Sequence, residues 1–176
     1  SRRPSQLVQI VSPRLHHGPS LCHELGAVVG PPQAVLHRVS ELGLHHCFRH
    51  VQALQTRLRL NPQDVTARLE LAGVYENYRF YDEGLEQFSV ALRNPLYTQP
   101  EQAMANAGLC AEKKGDLALA EANLLKSLKL QPDNANTIIK LAGLHFRQGR
   151  LVETQRLLDR HAELAPPTAE SLWLGV

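Results

Sequence analysis

Two stretches of the chain superimpose at an offset of 34 residues. Ala107-Gly108-Leu109 through Gly115-Asp116 to Pro132 aligns with Leu141-Ala142-Gly143 through Gly149-Arg150 to Pro166. A turn-forming Gly and a terminal Pro recur at the same phase, with small residues between them. A fixed period of about this length marks stacked helix–turn–helix units. Such units bury their apolar faces only against one another. The expected fold is therefore all-α, a right-handed solenoid of antiparallel helix pairs. Both ends of the array read as truncated.

The period and its small-residue positions are those of tetratricopeptide (TPR) repeats. Counting Glu101 as position 1, Gly108 falls at 8, Gly115 at 15, Ala120 at 20 and Pro132 at 32. Positions 8 and 20 must be small because the two helices cross there. Gly115 ends the first helix by adopting a left-handed backbone, and Pro132 stops the second. Residues 135–168 repeat the scheme with Ala142, Gly149, Leu158 and Pro166, and with a larger Thr154 at position 20. Residues 65–100 carry Leu71, Ala72, Tyr75, Gly84, Phe88 and Ala91, but Arg79 replaces the turn glycine. This unit starts 36 residues before Glu101, and its two extra residues fall in a Pro-bounded connection, Arg93 to Pro100. Residues 48–64 keep the second helix of a degenerate unit, with Leu54, Leu58, Leu60 and Pro62. Residues 169–176 read as the start of a further helix.

Ahead of these units the composition changes. Seven of the nine His lie in the first 50 residues, a stretch with no Asp, no Lys and two Glu. Residues 1–47 are expected to be irregular, with poor order before about residue 30, because they lack sustained helical periodicity. Non-native coding of residues 1–55, from an abnormal start or a shifted frame, is a second reading of the same text. The cluster His37, His45, His46, Cys47 and His50 invites a metal, since His46 and His50 would lie one helical turn apart. No carboxylate or second Cys completes a standard spacing, so the expectation is no metal and no cofactor.

The remaining chemistry is equally spare. The formal net charge of +2 speaks against a nucleic-acid binder, which carries a basic stripe. No nucleophile–base pair or phosphate loop appears, so neither an enzyme nor a small-molecule substrate is expected. No apolar run is long enough to span a membrane. Three cysteines make no disulfide framework, and Cys110 reads as a buried helix residue.

Binding is expected on the concave face, built from the first helix of each pair. The residues assigned there are Asn77, Asn106, Leu109, Lys113, Asn136, Lys140, Phe146 and Arg147. Amides mixed with apolar side chains suit an extended or helical segment of a partner, and Lys113, Lys140 and Arg147 together would favour carboxylates. The carboxylate clamp of chaperone-type TPRs is not expected, since its places hold Leu69, Gly73, Asn106, Asn136 and Lys140 and only Asn106 matches fully.

One block is more selective than any repeat position. Phe80 to Phe88 leads into Asn94-Pro95-Leu96-Tyr97, then Pro100-Glu101-Gln102-Ala103, then Asn106-Ala107-Gly108-Leu109-Cys110. This order, over about residues 57–176, resembles the PilF/PilW type IV pilus biogenesis proteins. The resemblance implies a non-enzymatic pilotin that binds the secretin subunit and promotes its assembly. It also implies a lipoprotein on the periplasmic face of the outer membrane. Here the signal peptide and lipidated Cys of that pattern are not found, so membrane attachment would need a lipid anchor absent from the chain. A cytoplasmic location is the alternative, and a generic TPR scaffold without a role in secretion is the second functional reading.

Overall fold

A computed structural model describes residues 45–175. Residues 1–44 lie outside the described residues, and with them most of the segment expected to be irregular or of foreign coding, together with His37. The described residues form eight helices and no strand. They are α1 (His45–Leu60), α2 (Val65–Asn77), α3 (Tyr81–Leu92), α4 (Pro100–Lys114), α5 (Leu117–Leu130), α6 (Ala135–Arg147), α7 (Leu151–Leu164) and α8 (Ala169–Leu174). Helix α1 starts at His45, three residues before the Phe48 expected from sequence. The helical run of the leucine-bearing segment simply propagates one turn further towards the N-terminus. No helix among the described residues is long and apolar enough to cross a membrane.

Short turns pair α2 with α3, α4 with α5 and α6 with α7. All three turns make the same two backbone bonds. Arg79, Gly115 and Gly149 each donate to the carbonyl three residues back, at 2.9–3.0 Å, and the next residue donates to the carbonyl five back, at 2.9 Å in each case. This double bond closes the last helical turn only if the hinge residue is left-handed. Gly115 and Gly149 sit at φ 94° and 73°, and Arg79 takes the same conformation at φ 64°. The turn has thus kept its geometry while losing its glycine. A side chain held there costs about 1–2 kcal/mol, partly offset by the extra freedom glycine gives the unfolded chain. Arg79→Gly is therefore expected to stabilise the protein by roughly 0.5–1 kcal/mol, a rise of about 2–4 °C in melting temperature per kcal/mol. A lowered melting temperature would mean that the Arg79 side chain makes compensating contacts.

The starts of the helices are equally local. Asp64, Asp116 and Asn134 each accept a bond from the backbone N–H three residues on, at 2.9–3.1 Å. Thr168 and Ser171 close a reciprocal capping box, which satisfies donors that a helix start otherwise leaves open.

The core is a chain of four clusters, each joining successive helices. Val51, Leu54 and Leu58 of α1 meet Ala67, Leu71 and Tyr75 of α2. Ala72 and Phe88 then pack on Ala103, Ala107 and Cys110 of α4. Ala105, Ala111, Ala120 and Leu124 adjoin Leu141 and Leu144 of α6, and Ile139, Ala142 and Leu158 receive Leu174 of α8. This neighbour-to-neighbour arrangement is that of a solenoid. Crossing points need small residues for a measurable reason. A Cβ on Gly108 would lie 2.9 Å from Leu124 Cγ, and one on Gly84 would lie 3.3 Å from both the Ala72 carbonyl and Cys110 Sγ. Thr154 is tolerated because its hydroxyl, buried among apolar groups, donates to the Arg150 carbonyl at 2.9 Å.

Candidate protein-binding face

The first helix of each pair, α2, α4 and α6, brings three kinds of group to one side of the array. The C-terminal ends of these helices are joined by a ladder of ion pairs. Lys113 Nζ lies 2.6 Å from Glu76 Oε1, which binds α4 to α2. Arg147 pairs in the same way with Glu112, binding α6 to α4. In repeat numbering both pairs join position 12 of one unit to position 13 of the next. The hydrogen bond that Lys113 donates to Glu76 raises its ammonium above the ordinary value. Lys114 adds a cross-link to Asp82 at 2.5 Å. Exposed pairs of this sort contribute about 0.2–1 kcal/mol each, so their main effect is on register between units.

This changes the reading of the basic trio. Lys113 and Arg147 are neutralised within the array, and Lys140 alone of the three has no ionic partner among the described residues. The expected attraction for carboxylates thus rests on one side chain. Phe146 is half-buried against the Ile139–Leu158 cluster and meets Trp173 edge-to-face, with ring centroids 5.4 Å apart. Its role at that joint is packing, in the place where earlier units carry Glu76 and Glu112. Leu109 is half-buried. Asn77 and Asn136 are exposed and Asn106 is half-buried; the side-chain amides of all three are unbonded among the described residues.

Asn106 belongs to a cleft of about 620 Å³. It is lined by the N-terminal half of α2, with Leu69 and Glu70, and by α4, with Gln102 and Asn106. The connection between α3 and α4 adds a wall of Leu96, Tyr97, Thr98 and Gln99. That connection is anchored. Asn94 accepts from the Leu96 N–H at 2.9 Å and donates to the Gln63 carbonyl at 3.3 Å. Tyr97 packs on the cluster of Phe88 and Cys110, whereas Leu96 stands 85% exposed. The assigned residues had included none of this wall. The slip of the period from 34 to 36 residues was the signal, since an insertion held by its own hydrogen bonds adds surface rather than slack.

The titratable core offers no reactive group. Burial pushes the Cys110 thiol up to about 11, so it is protonated at neutral pH and poorly nucleophilic. Glu121 bridges α5 to α6 and the following turn, bonded to Arg150 at 2.7 Å and to buried His145 at 3.1 Å. The Arg150 bond, helped by His145, holds this carboxyl below its ordinary value. No group of three or more metal-ligating side chains occurs among the described residues, and of the His/Cys cluster only the exposed His50 has a described side chain.

The chain is 26% identical over 103 residues to the type IV pilus assembly protein PilF of Pseudomonas aeruginosa. It is a TPR protein similar to PilF. The match covers 58% of the chain and 40% of that relative, so the chain spans well under half its length. No protein-family model matches. Among solved structures, PilF of P. aeruginosa superposes with a TM-score of 0.65 at 19% identity, over 81% of the chain and 63% of PilF. PilW, described as a widely conserved type IV pilus biogenesis factor, gives 0.52 at 23% identity, over 81% of the chain and 82% of PilW. YrrB, a TPR protein with an unusual peptide-binding site, gives 0.58 at 18% identity, over 84% of the chain and 74% of YrrB. The solved structures, all under 25% identical, agree on the TPR architecture.

Proposed function

We propose that the chain is a non-enzymatic adaptor of type IV pilus biogenesis that binds the secretin subunit and promotes its assembly at the periplasmic face of the outer membrane. The observation that carries the binding reading is the set of unbonded polar side chains, Asn77, Asn106, Asn136 and Lys140, on the first helices of successive pairs. Amides with no internal partner can donate to and accept from a peptide backbone, and a solenoid presents them at regular steps. The sequence similarity to a pilus assembly protein supports the choice of partner.

Capture of purified secretin by the full chain tests the reading. Binding is expected at micromolar concentration, with Asn106→Ala/Lys140→Glu weakening it about tenfold or more, the loss of one or two hot-spot contacts. Absence of binding at tens of micromolar would sink the secretin assignment.

A further inference from the structure

We infer that the groove between α3 and α5 is a second docking surface, and that its occupant is an amphipathic helix of a protein partner with acidic side chains flanking its apolar stripe. The adaptor reading above uses the first helices of the pairs; this inference goes beyond it and does not depend on it.

The groove follows from the stacking. α3 and α5 are the second helices of successive pairs, and α4 packs on both of them. Leu85 of α3 reaches the cluster that Ala105 and Ala111 of α4 form with Ala120 and Leu124 of α5. Above this contact lies a groove of about 630 Å³. Its apolar lining is Leu85 and Leu92 of α3, Met104 and Ala107 of α4, and Leu119 of α5. Leu85, Leu92 and Met104 are only half-buried and Leu119 is exposed, so these side chains meet water in the free chain. Covering them removes apolar surface from water, which is favourable.

The lining selects a helix. On α3 it runs from Asp82 to Arg93, a helical rise of about 16 Å, which is three turns of a helix laid alongside. An extended segment there would bring its backbone N–H and C=O groups onto leucine and methionine, and unpaired polar groups taken out of water are costly. A helix bonds its own backbone and offers only side chains. An alkyl chain fits less well, because Ser89 and Asn123 also line the groove and their side chains are unbonded among the described residues. Under a hydrocarbon they would stay unsatisfied; polar residues beside a helical stripe can bond them.

Charge selects the flanks. Four charged side chains line the groove, and Asp82 is already held by Lys114 at 2.5 Å. Glu86, Arg93 and Lys126 form no ion pair among the described residues. Glu86 has Arg68 in its neighbourhood, which leaves Arg93 and Lys126 as the uncompensated charges. α3 and α5 hold the same place in successive units and run in the same direction, so both cations lie towards the C-terminal ends of their helices. Carboxylates on the occupant complement them there.

Three capped peptides of about twelve residues test this on the full chain at low salt. One carries leucines at helical spacing flanked by glutamates, one has lysines in place of the glutamates, and one scrambles the first. In nitrogen–proton NMR the glutamate peptide is expected to shift the backbone amide of Ser89 and the side-chain amide of Asn123, and to leave the side-chain amides of Asn106 and Asn136 unmoved. It should bind about tenfold more tightly than the lysine peptide, because two exposed charge contacts change sign. Arg93→Glu/Lys126→Glu should reverse that preference, and Leu119→Ser should weaken the glutamate peptide about threefold or more. All three positions are exposed, so the fold is expected to survive, with unchanged thermal melting as the check. Equal affinity for the scrambled peptide, or a preference untouched by the charge reversal, would overturn the inference. Shifts at Ser89 and Asn123 with sodium laurate but with no peptide would overturn it in favour of an acyl ligand. Asn106→Ala/Lys140→Glu is expected to leave the peptide affinity unchanged, so failure of secretin capture and failure of this groove are read separately.

Discussion

Leu124→Ala is expected to lower the free energy of unfolding by roughly 2–5 kcal/mol, the usual range for a buried leucine. Leu124 is wholly buried where α4 and α5 cross, and its Cγ is the nearest atom to the missing Cβ of Gly108. Gly108→Val should also destabilise, by about 1–3 kcal/mol, the cost of overpacking a tight site, because the Ala120 carbonyl, 3.2 Å from that Cβ, blocks retreat. The diagnostic variant is the pair. In Gly108→Ala/Leu124→Ala the added methyl enters the space that the leucine leaves, so the double loss should fall short of the summed single losses by about 0.5–3 kcal/mol, the range for contacting residues. Urea denaturation of the four proteins checks this. Strict additivity would show that the two positions do not share one packing site.

Tyr75→Ala should be as severe, at about 3–5 kcal/mol, but for a different reason. Tyr75 is buried at 2% exposure and is the largest side chain in the cluster that docks α1 on α2. Burial also pushes its phenol up to about 12, so it stays neutral across the working pH range. In a solenoid each element packs on its neighbours, so loss of the α1–α2 interface frees α1 before the more distant helices. Hydrogen exchange should therefore accelerate across α1 well before α6 and α7. A uniform acceleration through all helices would mean that the array unfolds as one unit. A loss under 1 kcal/mol would mean that α1 contributes little to the fold.

The two predictions mark what a sequence of this kind discloses. Gly108 and Ala120 could be placed at a crossing from phase alone, because close approach of two helices imposes small residues at fixed spacing. Cys110 could be read as buried from the general tendency of cysteine to lie inside, and it is buried. Arg79 shows in the sequence only as a missing glycine; that the turn keeps its left-handed conformation is seen in the local backbone bonds to the Tyr75 and Glu76 carbonyls. The assigned binding residues were chosen by face, and a face does not reveal who pairs with whom. Lys113 and Arg147 lie on that face, but Glu76 and Glu112 of the preceding units pair with them. Phe146 lies on it too, with Trp173 against its ring. The cleft wall at Leu96–Gln99 lay outside any repeat position, so periodicity had no place for it.

The ladder from position 12 to position 13 has a mechanical side. Its two rungs, Glu76–Lys113 and Glu112–Arg147, are made by exposed cations, and salt screens exposed charges over about 8–10 Å. The next joint in line has no such rung; Phe146 and Trp173 close it instead, and aromatic contacts do not weaken with ionic strength. The array is thus a spring of unequal coils. Among the described residues, the joints from α2 to α4 and from α4 to α6 thus carry a contribution that weakens as ions are added, and the joint from α6 to α8 is closed by one that does not.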